Sequence, residues 1–260
     1  MRIARFVHPQ GMSFGVIDGE GDRSGWTVEA IEGHPFGEIV RTGRRWALDD
    51  IRMLSPILPS KVVCIGRNYA AHAAEKGNEL PKEPMMFLKP STSVIGPGDA
   101  IRIPAATKDV EHEAELAIVI GASGARKVSR DAAPKAIFGI TAANDVSARD
   151  LQKSDGQWGR AKGFDSFCPL GPWIETDTEY ADIRVAATVN DEIRQDGTTK
   201  DLIFDVPTLI SYVSHVMTLL PGDVILTGTP AGVGPLVAGD VCTITIEGVG
   251  DLTNPVVADE

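Results

Sequence analysis

The sequence predicts an α+β fold in which β-structure dominates. Short runs of β-branched and aromatic residues recur along almost the whole chain. Stretches with helical spacing are few, and the strand-like runs do not alternate with amphipathic helices as βαβ units require. At 260 residues the chain suits one large domain, or one medium domain with a small appendage.

Residues 1–57 differ in texture from the rest of the chain. Alternating runs at Ile3–Val7, Phe14–Ile17 and Trp26–Ile31 are broken by Gly-rich turns, which predicts a small antiparallel N-terminal β domain. The segment Ser55-Pro56-Ile57-Leu58-Pro59-Ser60 is a stiff connector, because two prolines forbid regular helix or a central strand. The main body, residues 58–260, opens with a buried strand at Lys61–Gly66. Further strands are expected at Met85–Lys89, Ala100–Ile103, Ala114–Ile120, Ile137–Asn144, Ile183–Asn190, Val224–Leu226 and Val241–Glu247. Asn190-Asp191 starts a hairpin turn, and Pro221-Gly222-Asp223 is a turn before a strand. Helix is expected over Val206–Leu220, with Asp205 as its cap and Pro207 in its first turn, and over the shorter Asp131–Ala136.

Composition excludes several function classes. The formal charge of −11 opposes non-specific nucleic-acid binding, which needs a basic footprint. An anionic substrate would have to be drawn in by a local cation or a metal. No apolar run approaches a membrane span, and the start lacks the apolar core of a signal peptide, so a cytoplasmic location is expected. The three cysteines, Cys64, Cys168 and Cys242, form no complete disulfide framework and have no zinc-ligand spacing; they read as buried thiols.

Four groups of residues carry chemistry. Glu113 and Glu115 flank Ala114 on a strand-like segment and so project from one face, where two carboxylates repel unless a cation or proton lies between them. Asp145 follows a buried-looking strand, and three carboxylates from two segments make an oxygen-rich pocket for a hard divalent ion. The alternative is a solvated acidic face with Asp145 capping a helix from Val146. On spacing alone, both readings stand.

His72 and Glu75 lie three apart, within reach on a helical turn, where the carboxylate would orient the ring as a general base. An ordinary surface His–Glu contact is the commoner meaning of that spacing. Lys162 sits in the Gly-flanked segment Gly159–Asp165, and Arg67, Lys89, Arg149 and Arg160 are further cations able to hold a carboxylate. The segment Pro221–Gly234 runs from strand into Thr and Gly, exposing amides and hydroxyls that could grip a carboxylate. It lacks the Gly-Lys-Ser/Thr ending of a phosphate loop, which excludes that nucleotide-binding motif.

Taken in order, several blocks make the chain similar to the fumarylacetoacetate hydrolase family. They are Gly66-Arg67-Asn68-Tyr69, His72-x-x-Glu75, Phe87-Leu88-Lys89-Pro90, Glu113-x-Glu115-Leu116, Asn144–Gln152, Lys162-Gly163-Phe164-Asp165 and Thr227-Gly228-Thr229-Pro230, spanning Lys61 to the C-terminus. The resemblance implies a mixed β-sandwich roll, a homodimer, and Mg²⁺ held by Glu113, Glu115 and Asp145, with Mn²⁺ or Ca²⁺ as substitutes. It implies that His72 and Glu75 are an acid/base pair on a short lid-like helix. Lys162, Gln152 and Thr229 would contact the 2-oxo-acid end of a small substrate, with Arg67 a further substrate-binding residue. The first 57 residues resemble the N-terminal domain of bacterial members.

The implied activity is Mg²⁺-dependent chemistry on 2-oxo or 2-hydroxy-dienoate dicarboxylates through a stabilised enolate, as in 2-hydroxyhepta-2,4-diene-1,7-dioate isomerases. An acylpyruvate or fumarylpyruvate hydrolase, an oxaloacetate decarboxylase and a non-catalytic metal-binding protein remain the alternatives.

Overall fold

The computed structural model describes residues 1–259 except Asp22, Lys76 and Asn78. Among these, the dominant element is a twelve-stranded sheet. From one edge its main path runs Arg41–Ala47, Thr27–Ile31, Gly11–Asp18, Arg2–His8, Cys168–Glu175, Ile137–Asn144, Ala114–Ile120, Val224–Leu226, Val62–Gly66 and Met85–Lys89. The N-terminal strands are thus the continuation of this sheet, joined to it where Arg2 pairs with Glu175 and Ile3 with Ile174. A five-stranded sheet (Glu192–Thr198, Arg184–Val189, Val241–Ile246, Gly250–Ala258, Ile101–Ile103) stacks on it, and a three-stranded ribbon forms beside the site. The α+β, β-dominated expectation holds.

The strand Ala114–Ile120 shows why the sheet can carry a buried site. Leu116, Ile118 and Ile120 enter the core shared with Val185, Ile244 and Leu252 of the second sheet, while Ala117 and Val119 enter the core on the opposite face. Both faces are therefore dry, and truncating a side chain such as Leu116 to Ala would cost about 2–5 kcal/mol. By the same alternation, Glu115 projects on the Ala117 side and Ala114 on the Leu116 side.

Several expectations need correction. The strand Cys168–Glu175 is central and wholly buried, although Pro169 and Pro172 argue against one. It is tolerated because the pairing is irregular: Gly171 faces Ala142 and Glu175 faces Ile140, four steps on one strand against two on the other. Arg41–Ala47 and Glu192–Thr198 are strands without apolar alternation, since each has a largely exposed outer face. The helix predicted to Leu220 ends at Val216, because Leu219 leaves to exchange backbone hydrogen bonds with Ala125. Asp131–Ala136 shrinks to a 3-10 turn at Ala133–Ala136, with Pro134 in its first turn.

Other features match the expectation. Asp205 accepts the Thr208 amide at 3.0 Å as an N-cap. Asn190 and Asp191 have φ of 52° and 66°, the left-handed pair that a two-residue hairpin requires. All three cysteines are free and buried, and burial pushes the Cys168 thiol up to about 12. Among the described residues, no helix is long and apolar enough to cross a membrane.

Candidate active site

Glu113 lies at the break between Val110–His112 and Ala114–Ile120 rather than inside the strand. Its backbone is clamped there: its amide donates to Asn144 Oδ1 at 2.9 Å, and its carbonyl accepts the Asp145 amide at 2.9 Å. This pairing carries Asp145, at the end of Ile137–Asn144, beside the Glu113–Glu115 pair. Carboxylate oxygens of Glu113, Glu115 and Asp145 lie within 4.8 Å of one another, and all three residues are buried. The solvated acidic face, open on spacing alone, is excluded, and Asp145 caps no helix from Val146, the next one starting at Arg149.

The cations are shared unequally among these acids. Lys162 Nζ bridges Glu113 Oε2 and Asp145 Oδ2, each at 2.7 Å. Lys89 Nζ donates to Asp145 Oδ1 at 2.5 Å, and Arg149 pairs with Glu113 and with Glu111. Among the described residues, no lysine or arginine forms an ion pair with Glu115, whose Oε2 accepts the Gly228 amide at 2.6 Å.

The titration behaviour follows from this distribution. Burial penalises the Glu113 carboxylate, but Arg149 and Lys162 outweigh it and hold Glu113 well below the usual range. Burial, with Asp145 and Glu113 beside it, pushes Glu115 well above that range. Lys162 is opposed by burial yet raised by Asp145 and Glu113. An all-oxygen set of three buried carboxylates, one of them in no ion pair among the described residues, is the donor chemistry that a hard divalent ion requires. The residues present fit a metal.

The remaining predicted residues converge on the same place. A cavity of about 310 Å³ is lined by Arg67, His72, Glu113, Glu115, Asp145, Gln152, Lys162 and Thr229, together with Ile65, Phe87 and Trp158. Glu75 stands behind His72: its Oε2 lies 3.2 Å from His72 Nδ1, and its Oε1 accepts the Gly232 amide at 3.0 Å. His72 is buried, so the pair is no ordinary surface contact. Gln152 accepts from Arg149 Nη1 at 2.9 Å. The Thr229 hydroxyl donates to the Ala114 carbonyl at 2.8 Å, which ties it to the strand between the two glutamates.

Two of the surplus cations, Lys89 and Arg149, hold the acids themselves. Arg160 pairs with Asp155 at the surface and does not line the cavity. Sequence reasoning did not find Trp158, whose ring lies so close that a Cβ on Gly66 would approach it to 2.8 Å, nor Gln195, a hydrogen-bond partner of Thr229. A tryptophan beside a glycine-flanked helical turn was the available signal for the first; nothing in the sequence pointed to the second.

Known proteins resemble the chain in both sequence and fold. The model of the C-terminal region of fumarylacetoacetate hydrolase matches residues 61–257, and an Rv2993c-like N-terminal model matches residues 1–56. The crystal structure of 2-hydroxyhepta-2,4-diene-1,7-dioate isomerase from Mycobacterium marinum is 52% identical, covers 100% of this chain and 99% of its own, and superposes with a TM-score of 0.93. A maleylpyruvate hydrolase from Sphingobium sp. SYK-6, in complex with manganese(II) and pyruvate, is 33% identical with a TM-score of 0.81, each chain covered in full (100%). The mitochondrial oxaloacetate tautomerase fahd2 of Xenopus laevis is 43% identical over 221 residues, 80% of this chain and 69% of that protein.

Proposed function

Since the chain belongs to the fumarylacetoacetate hydrolase family of enzymes, we propose that it acts on 2-oxo or 2-hydroxy-dienoate dicarboxylates with Mg²⁺ held by Glu113, Glu115 and Asp145. The favoured reaction is isomerisation of the 2-hydroxyhepta-2,4-diene-1,7-dioate type. The observation that carries this reading is the buried three-acid cluster, one carboxylate of which is in no ion pair among the described residues, opening into a cavity that His72 also lines. A divalent ion bound there supplies Lewis acidity toward the oxygens of a 2-oxo acid.

The chain's own residues do the rest. Lys162 Nζ sits at the cluster with its charge reinforced by Asp145 and Glu113, so it stabilises negative charge developing on a neighbouring oxygen. His72, oriented by Glu75, takes or returns a proton at the carbon framework. Arg67 faces the cavity from a left-handed backbone position, φ 57°, and can hold a carboxylate. Ile65, Phe87 and Trp158 form an apolar wall that suits the unsaturated chain between two carboxylates.

The His72–Glu75 pair also favours a second reading, C–C hydrolysis of an acylpyruvate, in which His72 would activate water. The neighbouring hydrolase supports that chemistry and the tautomerase supports proton transfer alone. An ultraviolet assay on chelated and Mg²⁺-restored enzyme decides among the seven-carbon dienoate, acylpyruvates and oxaloacetate. Fast Mg²⁺-dependent loss of the diene without cleavage supports the isomerase, whereas release of pyruvate supports the hydrolase. The reading includes a cytoplasmic homodimer without nucleic-acid or membrane partners. Light scattering checks the homodimer.

A further inference from the structure

Gln195 is fully buried on the strand Glu192–Thr198 of the second sheet, away from the acids, yet its amide reaches the site. Its Oε1 accepts the Ala114 amide at 2.9 Å and lies 3.0 Å from His112 Nδ1. Its Nε2 donates to the Pro230 carbonyl and to Thr229 Oγ1, both at 2.7 Å. The orientation is unambiguous, because the Ala114 amide only donates and the Pro230 carbonyl only accepts. It follows that His112 Nδ1 is the donor and that the Thr229 hydroxyl, receiving from Gln195, gives its own proton to the Ala114 carbonyl.

We propose that Gln195 is a positioning residue that locks the segment from Thr227 to Gly234 against the Glu113–Glu115 segment. That loop makes a functional contact at three successive points. The Gly228 amide holds Glu115, the Thr229 hydroxyl closes on Ala114, and the Gly232 amide holds Glu75. The loop and the Gln195 strand are in close contact. A Cβ on Gly197 would stand 2.6 Å from Pro230 Cβ, and one on Gly232 would stand 2.0 Å from the Arg194 carbonyl oxygen. The single amide of Gln195 therefore sets the metal-site carboxylates, the substrate loop and the acid/base pair in one register. It also leaves Thr229 no hydroxyl proton for substrate, so this residue can contact a ligand only as an acceptor or through its backbone.

The kinetic part of the test rests on the proposed function, and the positioning itself does not. Hydrogen exchange and steady-state kinetics are compared for the full-length wild type, Gln195→Met, Gln195→Glu, Thr229→Val and the Gln195→Met/Thr229→Val double variant. Gln195→Glu keeps both acceptor contacts and loses at least one of the two donors, so it serves if the methionine variant does not fold. Removal of the amide donors should speed exchange of the 227–234 amides by at least about tenfold and leave Leu116–Ile120 unchanged. KM for the 2-oxo acid should rise roughly tenfold with kcat within about threefold, and the double variant should be no more than about twofold worse than Thr229→Val. Unchanged loop exchange in a folded variant would overturn the assignment, whatever substrate the enzyme uses. So would kinetic losses that vanish once rates are normalised to the folded fraction, or full additivity with Thr229→Val.

Discussion

Glu29 and Glu115 are both buried glutamates on strands of the same sheet, and their surroundings are opposite. Glu29 accepts from Arg41 at 3.1 Å, Arg45 at 2.6 Å and the Gly43 amide at 2.9 Å, so two guanidiniums serve one carboxylate. Glu115 has one backbone amide and two further acids within 4.8 Å. Burial opposes ionisation of Glu29, but Arg41 and Gly43 outweigh it and its carboxyl lies below the usual range; Glu115 is driven well above it. A buried acid is therefore no sign of function by itself. A buried acid in no ion pair among the described residues, grouped with two further acids and open to a cavity, is what separates this site from scaffold.

The largest contrast is in catalysis. Glu115→Gln, like Glu113→Ala, should lower Mg²⁺-dependent turnover by roughly 10³-fold or more, the scale of losing a principal source of electrostatic stabilisation. Glu29→Gln should leave kcat and KM per folded enzyme unchanged. Comparable kinetic losses in both would erase the distinction. Next comes His72→Ala, expected to reduce hydrolysis or isomerisation about 10²–10⁴-fold, the range of a positioned base, while leaving metal affinity intact. Weakened metal binding in that variant would instead make His72 part of the ion's environment.

Smaller effects appear in pH dependence, with opposite signs at the two glutamates. Glu29 titrates below its unfolded value, so its contribution is present above the ordinary glutamate range and lost as pH falls through the folded value. Glu115 titrates above its unfolded value, so metal-free protein binds the extra proton and loses stability as pH rises from the ordinary glutamate range toward the folded value. Thermal melts of Glu29→Gln and Glu115→Gln across pH check both slopes; equal slopes would contradict the contrast. The smallest signal is calorimetric. Near the raised pKa of Glu115, metal uptake should release up to about one proton, seen as a dependence of the binding heat on buffer ionisation enthalpy.

Much of this site was legible in the sequence. Glu113, Glu115, Asp145, His72 and Lys162 stand within short blocks, and strand alternation placed Glu115 with Ala114 turned away, although Glu113 sits just outside the strand. What escaped depends on contacts across space. Glu29 looks no different from Glu115 until Arg41 and Arg45 arrive from the next strand. Lys89 and Arg149 could be identified as cations but not as partners of Asp145 and Glu113, and Gln195 sits in a polar strand with no distinguishing pattern. The strand Cys168–Glu175 was hidden by its prolines, whose disruption is absorbed by a pairing irregularity that no local rule reveals.

The central claim is that Glu115, in no ion pair among the described residues, forms the metal site with Glu113 and Asp145. It is tested most directly by calorimetric titration of Mn²⁺ or Mg²⁺ into chelator-treated wild type, Glu115→Gln and Glu29→Gln. The account predicts one divalent ion per chain in the wild type and in Glu29→Gln, and none at the same concentrations in folded Glu115→Gln. Undiminished binding in Glu115→Gln would contradict it.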